Sequence, residues 1–307
     1  MRFSKLMSDP STKIIDGKLV SEKLKSSLIS RISDIKHTYR TNQSPGLAVV
    51  MVGDRKDSDT YVRMKQLSAE KLGINFKLHK HPCNVTEKEL LLSIDVLNND
   101  RNVHGIIVQL PLPKHIDKKN IISKVSITKD VDGFNELNIG NLALEGYSPH
   151  FSPCTPKGVM ELLRYYNVPI TGKHCVVLGK SNIVGLPMSL MLLKENATVT
   201  ICNQLSERES EITRDADILI SATGVPGLVK EDWVKEGVVV IDIGINSVTD
   251  STRKKGYRIV GDVDYYPVSQ KARLITPVPG GVGPMTVAML MMSVVDSYER
   301  HFTTSMD

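Results

Sequence analysis

The sequence predicts an α/β protein of two α/β domains flanking a cleft, the second of them a doubly wound parallel sheet. Three observations predict this. Short apolar runs bounded by Gly or Pro alternate with stretches whose apolar residues recur at helical spacing. That β-α-β rhythm occurs in both halves of the chain, as in parallel sheets covered by helices on both faces. The length of 307 residues suits two domains of roughly 150 residues each.

In the first half, residues 19–37 carry apolar positions at helical spacing, and PGLAVVMVG (45–53) reads as a buried strand opened by Pro45 and closed by Gly53. A helix is expected from about Ser58 to Leu72, ended by Gly73. INFKLHKHP alternates with period two, as a strand does. Thr86 opens the helix TEKELLLSIDVLNND, with Glu89 completing a capping box. VHGIIVQLPLP is the next strand and turn. Around 147–158, YSPHFSPCTPKG gathers three prolines and a glycine, which suggests a hinge or crossing segment. A helix follows through PKGVMELLRYY. Strands are then expected in HCVVLG (174–179), ATVTICN (197–203), ADILISATG (216–224) and GVVVIDIGIN (237–246), with a shorter apolar segment, RIVGDVDY, after them. The last helix covers roughly 285–300.

Composition narrows the function. With 41% hydrophobic and 24% charged residues, the chain has the balance of a globular protein able to bury its own core. A net charge of +5 without a Lys/Arg block, and only 5% aromatics, argue against nucleic-acid binding. No apolar run approaches the 18 residues of a membrane span. The four cysteines, Cys83, Cys154, Cys175 and Cys202, form no C-x-x-C pair, which argues against a zinc site or disulfide framework and suits a reducing compartment. The leader MRFSKLMSDPST is short for a transit peptide, so a cytoplasmic location is expected ahead of an organelle.

HCVVLG runs into Gly179, Lys180, Ser181, Asn182, Ile183, Val184 and Gly185, then a helix led by Pro187. A strand, a glycine-bounded turn and a helix N-terminus let backbone N–H groups reach a pyrophosphate. The spacing is G-x-S-x-x-x-G, not G-x-G-x-x-G, and a tight turn without a ligand would look the same. The next strand ends Cys202-Asn203-Gln204, with no acid to hold a ribose 2′-hydroxyl, while Lys180 supplies a cation. That combination favours NADP over NAD; a solvated loop lysine is the plain alternative for Lys180.

In the first half, Ser58, Tyr61 and Lys65 recur at i, i+3 and i+7, on one helical face. A partly buried lysine on such a face is a candidate general acid or base. A surface lysine beside an amphipathic tyrosine has the same spacing. Gln109 stands at the carboxyl end of an apolar strand, where ligands sit on open α/β sheets, although a strand-end amide bonding a loop is an equal reading. Asp132, beside Gly133, is either an Asx-turn residue or a carboxylate for paired N–H donors of a 2-amino-4-oxo heterocycle. PVPGGVGP is either a shaped chain reversal or a wall against a flat ligand.

YVRMK (61–65), GIIVQLPLP (105–113), KDVDGF (129–134), PCTPKG (153–158), GKSNIVGLP (179–187) and TPVPGGVGPMTVAML (276–290) together resemble the bifunctional methylenetetrahydrofolate dehydrogenase/methenyltetrahydrofolate cyclohydrolase family, FolD type. The resemblance runs from IIDGK, near residue 14, to about residue 300. It implies oxidation of 5,10-methylenetetrahydrofolate by NADP+ (NAD being the other candidate), hydrolysis of the methenyl product to 10-formyltetrahydrofolate, a homodimer, no metal, and a place in one-carbon metabolism serving purine biosynthesis. It implies a catalytic folate-binding domain over 1–153, completed by a C-terminal helix at 285–307, and a Rossmann-like NAD(P)-binding domain over 154–284. Lys65 becomes the acid/base residue, partnered by Gln109, with Tyr61 stacking on the folate, Ser58 supporting the cluster and Asp132 anchoring the pterin. Pro279, Gly280 and Gly281 would line the folate pocket. Gly179, Lys180, Ser181, Ile183, Gly185 and Gln204 would shape the phosphate and ribose site, with Thr223, Gly224, Ile245 and Thr286 near the nicotinamide.

Two positions depart from the family. Its NADP-using members usually carry Arg where this chain has Lys180, and His-Ser where it has Asn203-Gln204. Arg grips phosphate bidentately and Lys only as a point charge, so the cofactor preference is the least determined feature. A dehydrogenase-only member is the rival enzyme reading, but oxidation alone would not require both Lys65 and Gln109. A nucleotide-binding protein without catalysis is the rival from another class, and the intact set Ser58, Tyr61, Lys65, Gln109 and Asp132 speaks against it.

Overall fold

The computed structural model describes residues 13–253 and 256–303, so the leader of residues 1–12 lies outside the described part. The chain divides into two compact units, Glu22–Cys154 with Val287–Asp307, and Met1–Ser21 with Thr155–Thr286. Both are α/β.

The first unit is built from α1 (Gly17–Thr38, which starts in the other unit), β1 (Gly46–Val52), α2 (Lys56–Lys71), β2 (Asn75–His81), α3 (Glu87–Asn99), β3 (Gly105–Val108), α4 (Lys118–Lys124) and α5 (Glu136–Ala143). Its sheet has the order β2-β1-β3, all parallel. Every residue of the central strand β1 is buried, as its uninterrupted apolar run requires, whereas β2 at the edge is mostly exposed. The α2 helix ends before Gly73, whose φ of +71° turns the chain into β2. The capping box of α3 is present: Thr86 Oγ1 accepts from Glu89 N and a Glu89 carboxylate oxygen accepts from Thr86 N. Ala48, Val50, Leu90, Ile94, Ile106 and Ile121 form the core between sheet and helices. Gly105 is where the sheet meets its covering layers: a Cβ there would lie 2.8 Å from Val131 Cγ1 and 3.1 Å from Val294 Cγ2.

The second unit continues with α6 (Cys154–Tyr165), β4 (His174–Leu178), α7 (Gly185–Lys194), β5 (Thr198–Cys202), α8 (Glu209–Arg214), β6 (Ile218–Ser221), β7 (Val239–Asp242), β8 (Asn246–Thr249), β9 (Tyr257–Val260), α9 (Tyr265–Lys271) and β10 (Leu274–Ile275). The strand order β10-β7-β6-β4-β5 is parallel throughout, a doubly wound sheet around β4. Val176, Leu178, Leu219, Val240 and Val268 form its core.

One expected strand divides. GVVVIDIGIN is β7 only to Asp242; the chain then turns, because the Asp242 carboxylate accepts from Gly244 N, and Asn246 starts β8. Of the short apolar segment after it, only residues 258–260 lie in β9, paired antiparallel with β8. The last helix, α10 (Val282–Thr303), starts earlier than its periodicity suggested, since Pro284 fits its first turn without costing a hydrogen bond. Its second half belongs to the first unit, where Tyr298 is fully buried and donates to Gln43 O at 2.7 Å, and Asp296 pairs with Arg31 at 2.6 Å.

Candidate functional site

In the first unit, the buried stripe of α2 runs through Ser58, Val62, Ala69 and Leu72, at spacings that repeat each turn or two. Lys65 is half-buried at the margin of this stripe, and Tyr61, 42% exposed, flanks it on the outside. The Lys65 amine meets the end of β3. Gln109 continues that strand by one bond, its N–H donating to Val50 O at 2.9 Å. Its side-chain Nε2 donates to Leu110 O at 2.9 Å, which turns Oε1 toward α2, where it accepts from Lys65 Nζ at 3.1 Å. The amide oxygen is thereby fixed as the acceptor, and the amine is held by a neutral group.

Asp132 is the third member. It is half-buried; desolvation raises its carboxyl pKa and the nearby Lys65 charge opposes that rise. The loop that carries it is organised by Asp130, a residue the motif reading passed over. Asp130 accepts from Asn135 N at 2.8 Å, Asn138 Nδ2 at 2.8 Å and Phe134 N at 3.3 Å. Burial pushes its carboxyl up to about 6, the Asp132 charge adding to the rise. Gly133, φ +71°, has no room for a side chain, because a Cβ would lie 2.6 Å from the Ser152 carbonyl carbon. Lys65, Gln109 and Asp132 are therefore gathered, from segments far apart in sequence. Ser58 lies on the same helix, buried.

In the second unit, the glycine-bounded turn closes tightly. A Cβ on Gly179 (φ +108°) would meet Ala222 O at 2.3 Å, and one on Gly185 would meet Gly179 O at 2.0 Å. Only glycine lets these backbones approach, and the result is a bare peptide cradle at the N-terminus of α7. Ser181 Oγ accepts from Val184 N at 3.3 Å and Gly185 N at 3.4 Å. Lys180, Ser181 and Ile183 are exposed around the cradle. Gly179 N donates to Cys202 O at 2.8 Å, so the turn lies beside the end of β5. There Asn203 Oδ1 accepts from Leu205 N at 3.2 Å, Gln204 is exposed, and no carboxylate occupies positions 202–206. A cradle without side chains, beside a strand end without an acid, fits a dinucleotide carrying a 2′-phosphate.

Thr223 and Gly224 follow β6, and both their N–H groups donate to Asp262 Oδ2, at 2.7 and 3.1 Å. Ile245, 48% exposed, follows β7. Thr286 Oγ1 lies 3.1 Å from Thr155 Oγ1. Pro279, Gly280 and Gly281 belong to this unit: Gly280 O accepts from Lys18 N at 3.0 Å, and Gly281 N donates to Pro277 O at 2.8 Å. Asp242 and Asp262 went unnoticed in the sequence; the signal was an Asp adjoining or nearly adjoining a Gly at the end of an apolar run. Among the described residues, no three His, Cys, Asp or Glu side chains form a group that would hold a metal ion. No helix of the described residues is long and apolar enough to cross a membrane.

Comparison with known proteins agrees with this geometry. The family model for the tetrahydrofolate dehydrogenase/cyclohydrolase catalytic domain matches residues 15–132, and that for its NAD(P)-binding domain matches residues 153–302. The chain is 50% identical over 287 residues to bifunctional protein FolD 4, chloroplastic, of Arabidopsis thaliana, covering 94% of this chain and 79% of that one. Among solved structures, the bifunctional FolD of Campylobacter jejuni superposes with a TM-score of 0.87 at 46% identity, covering 94% of this chain and 98% of that one. The Trypanosoma brucei FolD, solved with NADP cofactor and inhibitor, gives a TM-score of 0.90 at 41% identity, covering 94% and 97%. With both domain models matched in order and the amine–amide pair and glycine cradle built as described, the chain belongs to the tetrahydrofolate dehydrogenase/cyclohydrolase family.

Proposed function

We propose that this chain oxidises 5,10-methylenetetrahydrofolate to the methenyl cation with NADP+ and hydrolyses that cation to 10-formyltetrahydrofolate. The observation that carries the second activity is the Lys65 amine held 3.1 Å from Gln109 Oε1, with the Asp132 carboxylate nearby. NADP, when bound, supplies the hydride acceptor; the cradle of Gly179, Ser181, Ile183 and Gly185 would hold its phosphates, Lys180 and Gln204 its ribose side, and Thr223, Gly224, Ile245 and Thr286 its nicotinamide end.

The methenyl substrate is already electrophilic, so its hydration calls for one positioned base and not for a Lewis acid. Lys65 takes a proton from the attacking water and returns it to the ring nitrogen as its bond to the one-carbon unit breaks, and the remaining hydroxyl proton passes to solvent as the formyl carbonyl forms. Gln109 Oε1, a neutral acceptor, holds the amine in place at the end of β3. Asp132 accepts the N–H pair of the pterin, Tyr61 stacks on the folate, and Ser58 supports the helix face. Pro279, Gly280 and Gly281 line the folate pocket. The roles read for the two domains are folate binding and catalysis for 1–153, completed by 285–307, and NADP binding for 154–284, although residues 1–21 group with the second of these units.

The protein acts as a homodimer. This is supported by β5, an edge strand of the parallel sheet, whose Ile201 is exposed together with Leu193 and Leu205 nearby in sequence; an unpaired strand edge with apolar neighbours is a template for a second copy. A cytoplasmic location is supported by four cysteines that form no disulfide among the described residues, and service of purine biosynthesis by the family resemblance.

The test is a single absorbance experiment on the purified protein with methylenetetrahydrofolate and either NADP+ or NAD+. The expected record is a rise in methenyl absorbance with NADP+ followed by decay. Methenyl that accumulates and disappears only at the buffer rate would establish a dehydrogenase without hydrolysis.

A further inference from the structure

Asp242 closes β7 and Asp262 follows β9, 20 residues later, yet the Asp242 carboxylate accepts from the Asp262 backbone N–H. Asp242 Oδ1 accepts from Gly244 N and Asp262 N, each at 3.0 Å, and Oδ2 accepts from Val263 N at 2.9 Å. Asp262 Oδ2 accepts from Thr223 N at 2.7 Å, Gly224 N at 3.1 Å and Ser221 Oγ at 3.3 Å, while Oδ1 accepts from Asn246 Nδ2 at 2.8 Å. Two glycines make the approach possible: a Cβ on Gly244 would lie 2.1 Å from Asp262 Oδ1, and one on Gly261 would lie 1.8 Å from Asp242 Oδ2. Three segments, 221–224, 244–246 and 261–263, are thus tied to one pair of carboxylates. The first two leave the carboxyl ends of β6 and β7, the end of a parallel sheet at which ligands bind. Asp262 itself is 0% exposed, so it is walled off from any ligand by the loops it holds.

We propose that Asp262, itself held in place by Asp242, is a positioning residue for hydride transfer: as a hydrogen-bond acceptor it fixes the Thr223–Gly224 backbone and, through the Asn246 side chain, the Ile245–Asn246 segment against the dinucleotide. This rests on the placement of the nicotinamide end of NADP at those loops. Every hydrogen bond given for the Asp262 carboxylate is one in which it accepts, and none is from a cation, so it holds these segments through hydrogen bonding to neutral donors. An asparagine preserves the pattern. Its amide oxygen still faces Thr223 and Gly224, and its NH2 donates to Asn246 once that amide turns over. An alanine leaves two backbone N–H groups and the Asn246 amide without an acceptor in a closed interior.

The experiment compares the full-length wild type with Asp262→Ala, Asp262→Asn and Asn246→Ala. Calorimetry reads the Kd for NADP+, steady-state kinetics the KM for NADP+ and kcat, and hydrolysis of supplied methenyltetrahydrofolate without NADP reads the second activity. Asp262→Ala raises Kd and KM for NADP+ by about tenfold or more and leaves hydrolysis within about twofold of wild type. Asp262→Asn stays within about threefold, and Asn246→Ala, which serves should the alanine at 262 not fold, raises Kd about threefold. The proposal is overturned if Asp262→Ala or Asn246→Ala leaves Kd unchanged, if Asp262→Asn is as impaired as alanine, or if hydrolysis falls by the same factor as oxidation. A wild type that binds NADP+ but does not oxidise methylenetetrahydrofolate sinks the functional reading instead, while the comparison of Kd values still tests the hub.

Discussion

Replacing Lys65 by methionine keeps most of the side chain's length and removes the amine that donates to Gln109 Oε1 at 3.1 Å. The cost to folding comes from that bond and from the attraction to the nearby Asp132 carboxylate. A neutral-acceptor hydrogen bond contributes about 0.5–1.5 kcal/mol net. Gln109 is only half-buried, so water can take the place of the amine. A shift of about 2–4 °C in Tm per kcal/mol then leaves the variant folded at room temperature. The chemical cost is much larger. Acid/base transfer by a placed group contributes about 10²–10⁴-fold, or about 2.7–5.4 kcal/mol at 1.36 kcal/mol per tenfold. Lys65→Met is therefore expected to lose hydrolysis by at least about a hundredfold while NADP+ still supports oxidation. The Asp132 carboxyl, relieved of the one charge that lowers its pKa, should titrate still higher and weaken folate binding at low pH first. Stopped-flow absorbance resolves the two steps in one trace: methenyl should form and persist. A folded Lys65→Met protein that hydrolyses methenyltetrahydrofolate within a few-fold of wild type would refute the role assigned to the amine.

Lys180→Arg should raise the NADP:NAD ratio of kcat/KM by up to about tenfold, because a guanidinium grips a 2′-phosphate bidentately; the two specificity constants measure it, and an unchanged ratio would remove residue 180 from phosphate recognition. Gly179→Ala places a Cβ 2.3 Å from Ala222 O, so calorimetry should detect little NADP+ binding while hydrolysis of supplied methenyltetrahydrofolate continues. Asp242 has its folded pKa pushed up to about 6, mainly by burial, against about 3.9 unfolded. Above its unfolded value the native state binds the extra proton, so this group's contribution to stability falls as pH rises from about 4 to about 6, by up to ~3 kcal/mol, and is constant beyond. Urea unfolding of wild type and Asp242→Asn across that range should show the wild type losing ground to the variant as pH rises; parallel curves would mean that Asp242 does not titrate there.

The local elements were legible because the interactions that set them span only a few residues. The capping box of Thr86 and Glu89, the unbroken apolar run of β1, the Gly73 stop and the Gly179–Gly185 turn are each readable from neighbours in the chain. Motif order carried the family, and with it the candidate site residues. The split of GVVVIDIGIN was not legible, because the apolar pattern of β7 continues through the turn in Ile243 and Ile245; what ends the strand is an Asp242 carboxylate folding back on Gly244 N.

The sequence by itself determined the parallel α/β architecture and the glycine-bounded turn, since helical period and turn chemistry are local properties, and its motifs supplied the residues proposed to carry the chemistry. Only the tertiary structure decided that Lys65 meets Gln109, 44 residues away, through an amide oriented by its own second hydrogen bond. It alone decided that Asp130, Asp242 and Asp262 are interior acceptors and not surface acids. A carboxylate's role depends on how many N–H groups reach it and how much water does not, and both are fixed by chain segments distant in sequence.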